Sequence, residues 1–377
     1  EEMEDAIRAR VPDTKNTRVI CRSGKPTSVS ALKKVSVSQC KSIILTFEDD
    51  LDNIKAVLAL ANVLKEHNAF NAHITAIINE EENLEAIHIA GGDLVEPLFF
   101  KDAISRIMAQ TCRQSGLIAV YQELFDFGGD EIYLERIPQL TGKRCGELPL
   151  YFENCSVMGI KRHGEIMINP PGEMTMADGD EIILLAADDN VAAPLSEPGR
   201  VDESAIVDAS AGRFKAERPE RLLILGYNDK LPRVLIEIDR YIAGGSTVVV
   251  ACEQPEAEAV FSGSSFQNLA LRVEIRDIYS RAMLEAVVGE GFDYIIVMSD
   301  YGCSADESDG KVLKLLLHLR DLARITGQEF MLISELRDSQ NQNLLASSLV
   351  NDFIVGSNLI CLMMTQIAEN RSLQQIF

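Results

Sequence analysis

One sequence pattern constrains the fold of this chain more than any other, because it occurs twice. An apolar run at residues 43–45 ends abruptly in acidic residues, and a segment with apolar residues at helical spacing follows at once. A second apolar run, at 294–298, is followed by another acidic stretch and another helical pattern. Each copy predicts a buried strand, a carboxylate-rich turn and a crossover helix. Ligands in open α/β sheets collect outside the carboxyl ends of the strands, so we expect both acidic turns at such an edge.

The repeat extends beyond these turns and divides the chain. Strands alternate with helices over residues 1–127 and again over 221–377, which predicts two doubly wound parallel sheets. Residues 128–189 contain short β-like runs punctuated by glycine and proline, typical of a small β-rich module, and 190–220 are expected to form a linker. The first α/β block lacks the strand–helix–strand that begins the second. Its sheet is therefore expected to be incomplete, either because the chain is trimmed or because that segment lies elsewhere.

Several finer predictions follow from the same patterns. Residues 18–21 are expected to form a short strand, residues 102–125 one long helix, and residues 343–349 a helix. The alignment of the two copies pairs residues 73–79 with 329–335.

Composition limits the classes of function. The chain has 377 residues, and 36 Lys and Arg stand against 58 Asp and Glu, for a formal net charge of −22. This charge argues against a nucleic-acid or anionic-membrane surface, and it agrees with cation binding or with solubility alone. The eight cysteines are scattered without C-x-x-C spacing, which indicates a reducing compartment. No apolar run approaches the roughly 18 residues that a membrane span needs.

The acidic turns are candidate sites for a hard cation. Ca²⁺ takes about six to eight oxygen ligands, and the first turn offers four carboxylates at the end of a strand. The second turn spreads its acids over a longer loop. Asp at the start of a helix is also the usual cap and dipole partner, so a purely structural role is the alternative. The candidate metal ligands are Glu48, Asp49, Asp50, Asp52, Asp300, Asp306 and Glu307.

A third turn resembles a dinucleotide-binding turn in its position. Gly226-Tyr227-Asn228 follows a predicted strand and opens a helix, and Glu253 ends the next strand. The G-x-G-x-x-G pattern itself is absent, and the lost second glycine is the one that lets the backbone approach a pyrophosphate. The sequence therefore argues against a nucleotide, and Gly226, Asn228 and Glu253 are its candidate contacts in this alternative interpretation. No G-x-S-x-G, Walker A or H-E-x-x-H pattern points to an enzyme.

Several segments resemble a known family. Residues 138–188 are similar to the C-terminal lobe of RCK (regulator of K⁺ conductance) domains, through LTGK at 140–143 and DGDEIILL at 178–185. The α/β blocks resemble RCK N-lobes. More specifically, the chain resembles the CASTOR/POLLUX channel family in VICRSG at 19–24, ALKKVSVS at 31–38 and a Gly-Gly pair at 91–92. The Gly-Tyr-Asn turn departs mildly from the glycine–tryptophan turn of that family.

The resemblance implies an α/β chain with two Rossmann-like RCK N-lobes in tandem and a small β-rich (α+β) RCK C-lobe between them. It implies the non-enzymatic gating-ring region of a tetrameric cation channel, assembled as a homotetramer or a dimer of dimers and acting on its own transmembrane pore domain, with no nucleic-acid partner. Ca²⁺ is the ligand it favours, bound at the acidic strand ends. The expected location is the soluble, cytoplasm-facing part of a membrane protein, or the nuclear envelope for a plant member. The short connections fit a prokaryotic homologue.

Overall fold

Two parallel sheets and one antiparallel sheet make up the fold. The structure is a computed structural model that describes residues 2–68, 71–188, 193–206, 218–342, 344 and 352–377. The chain divides into two units. Unit 1 consists of Glu1–Phe99 and Ile367–Arg371, and unit 2 consists of Phe100–Gln366 and Ser372–Phe377.

Unit 1 is built on a parallel sheet of three strands in the order β1-β2-β3. The strands are β1 (Ser42–Leu45), β2 (His73–Ile78) and β3 (Val95–Phe99), and the helices are α1 (Glu2–Arg10), α2 (Val29–Lys34), α3 (Asp50–Glu66) and α4 (Asn83–Gly91). The central strand pairs with both neighbours, and all but one of its residues are buried, as expected for a strand covered on both faces.

Helix α3 packs against β2 and α4 and forms much of the core of unit 1. Its residues Val57, Leu60 and Leu64 recur at helical spacing and are almost completely buried. Helix α4 ends at Gly91, where a Cβ would lie 2.6 Å from Val95 and 2.9 Å from Val57. Only glycine permits this close approach.

The prediction of a strand at residues 18–21 is wrong, because these residues are irregular in the structure. In the repeat, this segment corresponds to the strand Leu269–Ile275, which lies at the edge of the six-stranded sheet of unit 2 and pairs with one neighbour only. The described residues of unit 1 contain no counterpart of that neighbour. An extended segment without a pairing partner has no ladder of hydrogen bonds to hold it as a strand. Val19 and Ile20 are exposed accordingly.

Unit 2 begins with two helices that join an α/β sheet to a β-rich sheet. They are α5 (Phe100–Arg113) and α6 (Leu117–Phe125). The expected single helix over 102–125 is therefore wrong. Gly116 adopts a φ of +82°, and its N–H donates to the buried carboxylate of Asp352 at 3.0 and 3.2 Å, so the chain turns at this point.

The β-rich sheet of unit 2 is antiparallel, with its strands in the order β4-β7-β5-β6. The strands are β4 (Glu131–Glu135), β5 (Cys155–Arg162), β6 (Glu165–Ile168) and β7 (Glu181–Ala186). A bidentate ion pair joins β5 to the turn that precedes β7, since Arg162 donates to both oxygens of the buried Asp180. The glycine-punctuated β-like runs in this region are thus confirmed as a separate sheet.

The α/β sheet of unit 2 has six parallel strands in the order β10-β9-β8-β11-β12-β13. The strands are β8 (Arg221–Leu225), β9 (Ser246–Cys252), β10 (Leu269–Ile275), β11 (Tyr294–Val297), β12 (Met331–Leu336) and β13 (Asp352–Val355). The helices are α7 (Leu231–Tyr241), α8 (Glu256–Phe261), α9 (Arg281–Val288), α10 (Ala305–Thr326), α11 (Ser339–Gln342) and α12 (Gly356–Glu369). The strand order reverses between β8 and β11, which makes this the switch point of the sheet.

The repeat appears in the structure as a shared order of elements. Strands β1, β2 and β3 alternate with helices as β11, β12 and β13 do, and both sets lie in the same spatial order. The six residues of β2 correspond to the six of β12, which differs by two positions from the alignment predicted for 73–79. Apart from residue 344, the helix predicted at 343–349 lies outside the described residues, as does part of the linker at 190–220.

Candidate functional site

The first acidic turn has one acid inside the protein. Asp50 is 5% exposed and accepts hydrogen bonds from the backbone N–H of Asn79 at 2.9 and 3.1 Å and from that of Glu80 at 2.9 Å. The side-chain amides of Asn79 and Asn83 donate to it at 3.1 and 3.0 Å. Burial opposes ionisation, but these donors outweigh it and lower the pKa of Asp50. Asp50 therefore connects the end of β1 to the end of β2.

The other acids of this turn lie at the surface. Asp49 caps α3 by accepting from the N–H of Leu51 at 2.8 Å. Asp52 pairs with Lys55 at 3.0 Å. Glu48 is exposed. The four predicted ligands of the first turn are thus divided into one structural acid and three solvent-facing acids.

The second turn repeats the internal bridge with a residue that the sequence reasoning did not select. Asp309 is fully buried and accepts from the backbone N–H groups of Arg337 and Asp338 at 2.8 and 2.9 Å. The amide of Asn341 donates to it at 2.8 Å. Asp50 makes the same three kinds of contact. The sequence signal has two parts. An Asp lies in the first or second turn of the helix that follows one strand, and an Asn lies five residues after the last residue of the next strand.

The acids predicted in the second turn surround a lysine. Lys311 lies 3.0 Å from Asp300 and 3.1 Å from Glu307. Asp300 also accepts from the N–H of Gly302 at 2.8 Å. Burial opposes the ionisation of Asp300, but the hydrogen bonds from Lys311 and Gly302, together with the charge of Lys311, outweigh this effect and lower the pKa of Asp300. Asp306 is exposed.

The predicted acids do not gather into a metal centre in the structure. Within the described ranges, no group of three or more His, Cys, Asp or Glu side chains has an arrangement that could hold a metal ion. A cation at either turn stays a prediction.

The Gly226 turn lies at the switch point of the six-stranded sheet. Gly226 has a φ of +96°, and a Cβ there would lie 3.0 Å from the carbonyl oxygen of Met298, so this turn requires glycine. The amide of Asn228 donates to the carbonyl of Ser299 at 2.9 Å and to Glu335 Oε2 at 2.9 Å. Glu253, the third predicted contact, is exposed at the end of β9.

Two buried charges at this switch point escaped the sequence reasoning. Lys230 Nζ lies 2.9 Å from Glu335 Oε1, and the side chains are 1% and 0% exposed. Tyr301 donates its hydroxyl to Glu335 Oε1 at 3.2 Å, and its ring centroid lies 3.8 Å from Lys230 Nζ. The partners are 105 positions apart in sequence, and no local pattern connects them.

Comparison with known proteins then identifies the relatives of the chain. Residues 101–201 match the family model described as "Castor and Pollux, part of voltage-gated ion channel", and residues 4–96 match the model of the TrkA-N domain. A probable ion channel CASTOR from Oryza sativa subsp. japonica is 28% identical over 426 residues, which cover 100% of this chain and 46% of that protein. This chain is similar over its full length to the CASTOR and POLLUX ion channels. The resemblance found in the sequence is confirmed, and the chain spans about half the length of the curated relatives that it matches.

Solved structures confirm the Rossmann-like α/β fold of RCK gating rings. The structure of the human SLO3 gating ring gives a TM-score of 0.65 at 15% identity and covers 94% of this chain and 76% of that chain. A GsuK channel bound to NAD gives a TM-score of 0.50 at 15% identity and covers 98% of this chain and 59% of that chain. The bound NAD of that protein conflicts with the sequence argument against a nucleotide in this fold.

The relatives also bear on two broader expectations. They are ion channels and gating-ring structures, so at the level of the family they support a non-enzymatic protein. In the part of the chain that the structure describes, no helix is both long enough and apolar enough to span a membrane.

Proposed function

We propose that this chain is the regulatory gating-ring module of a cation channel. The observation that carries the proposal is the similarity to CASTOR ion channels over 100% of the chain. The likeness to the SLO3 gating ring supports it at the level of the fold. A module of this kind binds a ligand and changes the state of the pore domain to which it is joined. Such regulation requires the ligand to bind two states of the ring with different affinities.

The proposed ligand is Ca²⁺, bound at the first acidic turn. Glu48, Asp49 and Asp52 present carboxylate oxygens to solvent at the carboxyl end of β1, and Ca²⁺ prefers oxygen ligands. The oxygens of Asp50 already accept hydrogen bonds from backbone and amide donors. Asp50 would therefore hold the turn in position from inside the protein. The net charge of −22 raises the concentration of cations near the surface. Water would supply the remaining ligands.

The second turn is the weaker candidate. The ammonium group of Lys311 already lies between Asp300 and Glu307, where a bound cation would otherwise neutralise them. A metal ion at this turn would have to displace Lys311. Of the predicted ligands there, only Asp306 makes no such ion pair in the described structure and faces solvent.

Calorimetric titration with Ca²⁺ tests the site. The double variant Asp49→Asn/Asp52→Asn removes two charges but keeps the cap on α3, since Asn caps helices as well as Asp does. We expect this variant to bind Ca²⁺ at least about tenfold more weakly than the unmodified chain. The matched control, Asp306→Asn/Glu307→Gln, makes the same change of charge at the second turn and should bind as the unmodified chain does. Absence of heat with Ca²⁺, or equal binding by both double variants, would rule out the first turn.

The same titration with NAD and with ATP distinguishes the alternative ligand. The NAD-bound GsuK structure favours a nucleotide for this fold, and the Gly226 turn is where the sequence would place it. Heat with a nucleotide but none with Ca²⁺ would transfer the proposal to that turn. The assignment to a gating ring would remain.

The proposed assembly is a ring, either a homotetramer or a dimer of dimers. The gating-ring likeness supports an assembly without fixing its number of subunits. Light scattering over a range of concentrations should give a mass above that of one chain. A monomer at the highest concentration would contradict the assembly for this chain.

A further inference from the structure

The proposed function does not use the buried lysine at the switch point of the six-stranded sheet. Lys230 lies between β8 and α7, and 1% of its side chain is exposed. Lysine is almost never so deeply buried unless its ammonium group is paired. The burial of Lys230 therefore has to be explained by what surrounds Nζ.

The partner of Lys230 is a carboxylate that is fully occupied. Glu335 Oε1 lies 2.9 Å from Lys230 Nζ and accepts from the Tyr301 hydroxyl at 3.2 Å. Glu335 Oε2 accepts from the amide of Asn228 at 2.9 Å and from the N–H of Ser299 at 3.1 Å. These donors follow β8 and β11, and Glu335 itself belongs to β12. One carboxylate thus connects the ends of three adjacent strands.

Aromatic rings complete the surroundings of the ammonium group. Lys230 Nζ lies 3.8 Å from the ring centroid of Tyr301 and 5.7 Å from that of Phe100. Cation–π attraction at these distances stabilises a cation that has lost its water. A carboxylate together with aromatic faces is a combination that recognises ammonium groups.

The turn itself has little capacity left for an anion. The N–H of Lys230 donates to Asn228 Oδ1 at 3.1 Å, and the N–H of Leu231 donates to the carbonyl of Asn228 at 3.1 Å. These are N–H groups at the start of α7, and N–H groups at that position bind the pyrophosphate in dinucleotide-binding folds.

We propose that the switch point is a cation site of the primary-ammonium class, which the chain fills from within with Lys230. The tethered ammonium takes the place of a bound ligand and holds the ends of β8, β11 and β12 together. The six-stranded sheet is then fixed at this edge without any added ligand. This site is separate from the proposed Ca²⁺ site, so its failure would leave that site untouched.

Chemical rescue tests the site. Lys230→Ala removes the cation and leaves a space that propylammonium matches in length and charge. We expect the melting temperature to fall by roughly 5–15 °C and propylammonium to restore a substantial part of the loss. Propanol, which has the same length without the charge, should restore none of it. The matched control is Lys311→Ala, which removes a lysine with 32% of its side chain exposed, and propylammonium should not rescue it because water can reach the partners it leaves. Equal rescue by propanol, or no rescue by propylammonium, would overturn the proposal.

A second set of variants covers the case in which Lys230→Ala does not fold. Lys230→Met and Glu335→Gln each leave one buried partner without its counterpart, whereas the double variant removes both charges. We expect the double variant to melt well above the temperature predicted by adding the two single losses. A double variant whose loss equals that sum would show that the two groups do not interact, and the proposal would fail.

Discussion

Replacement of Asp50 gives the sharpest test of the structural role assigned to the first acidic turn. Its carboxylate accepts from four donor groups, which are the backbone and side-chain N–H groups of Asn79, the N–H of Glu80 and the amide of Asn83. Hydrogen bonds to a charged group contribute about 1.5–3 kcal/mol each, but these bonds share one acceptor and are not additive. We therefore expect Asp50→Ala to cost about 3–5 kcal/mol of unfolding free energy, because the backbone N–H groups of Asn79 and Glu80 both lose this charged acceptor.

Urea denaturation measures this cost, and a neighbouring acid supplies the control. Asp52→Ala, two positions away, breaks an exposed pair with Lys55 and should cost no more than about 0.5 kcal/mol. The reasoning would be refuted if the two variants differed by less than about 1 kcal/mol. The lowered pKa of Asp50 also sets the direction of the pH dependence. Its stabilisation is present above the unfolded pKa of about 4 and is lost as pH falls through the lower folded pKa, so the two variants should converge in stability in acid.

Two further predictions concern backbone strain and thiol chemistry. Gly226→Ala places a Cβ 3.0 Å from the carbonyl oxygen of Met298 at a positive φ and should lower the free energy of unfolding by about 1–3 kcal/mol. Gly310→Ala lies inside α10 with open space around its Cβ and should raise that free energy by about 0.5–1 kcal/mol. Thermal melting of both variants checks this difference in sign. Cys361 is exposed and should react quickly with iodoacetamide at neutral pH, whereas Cys112 should react only on unfolding, because burial raises the pKa of its thiol. Mass spectrometry of labelled peptides measures both rates, and similar rates would contradict this expectation.

The sequence predicted those parts of the fold that depend on local patterns. Runs such as 294–298 are apolar throughout, and a strand buried on both faces requires such a run. Residues 19–21 are also apolar, yet the segment at 18–21 stays irregular because a strand also needs a neighbour to pair with. The break at Gly116 was missed because apolar spacing continues on both sides of it, and the Asp352 carboxylate that receives its N–H is distant in sequence.

The candidate sites were predicted in position but not in detail. The four acids of the first turn are alike in sequence, but on a helix Asp50 faces the end of the neighbouring strand while Asp49 and Asp52 face solvent. The pair of asparagines that holds Asp50 was the available signal. Lys230 could not be found in this way, since a lysine in a turn is ordinarily exposed and its partner, Glu335, belongs to a strand 105 positions later.

The central claim is that this chain senses a ligand on behalf of a pore. The most direct measurement is the current, in a planar lipid bilayer, through a protein in which this chain is joined to its pore domain, recorded while Ca²⁺ is varied on the side of the chain. The account predicts a current whose open probability changes with Ca²⁺, and a loss of that change in Asp49→Asn/Asp52→Asn but not in Asp306→Asn/Glu307→Gln. A current that responds to neither Ca²⁺ nor a nucleotide would contradict it.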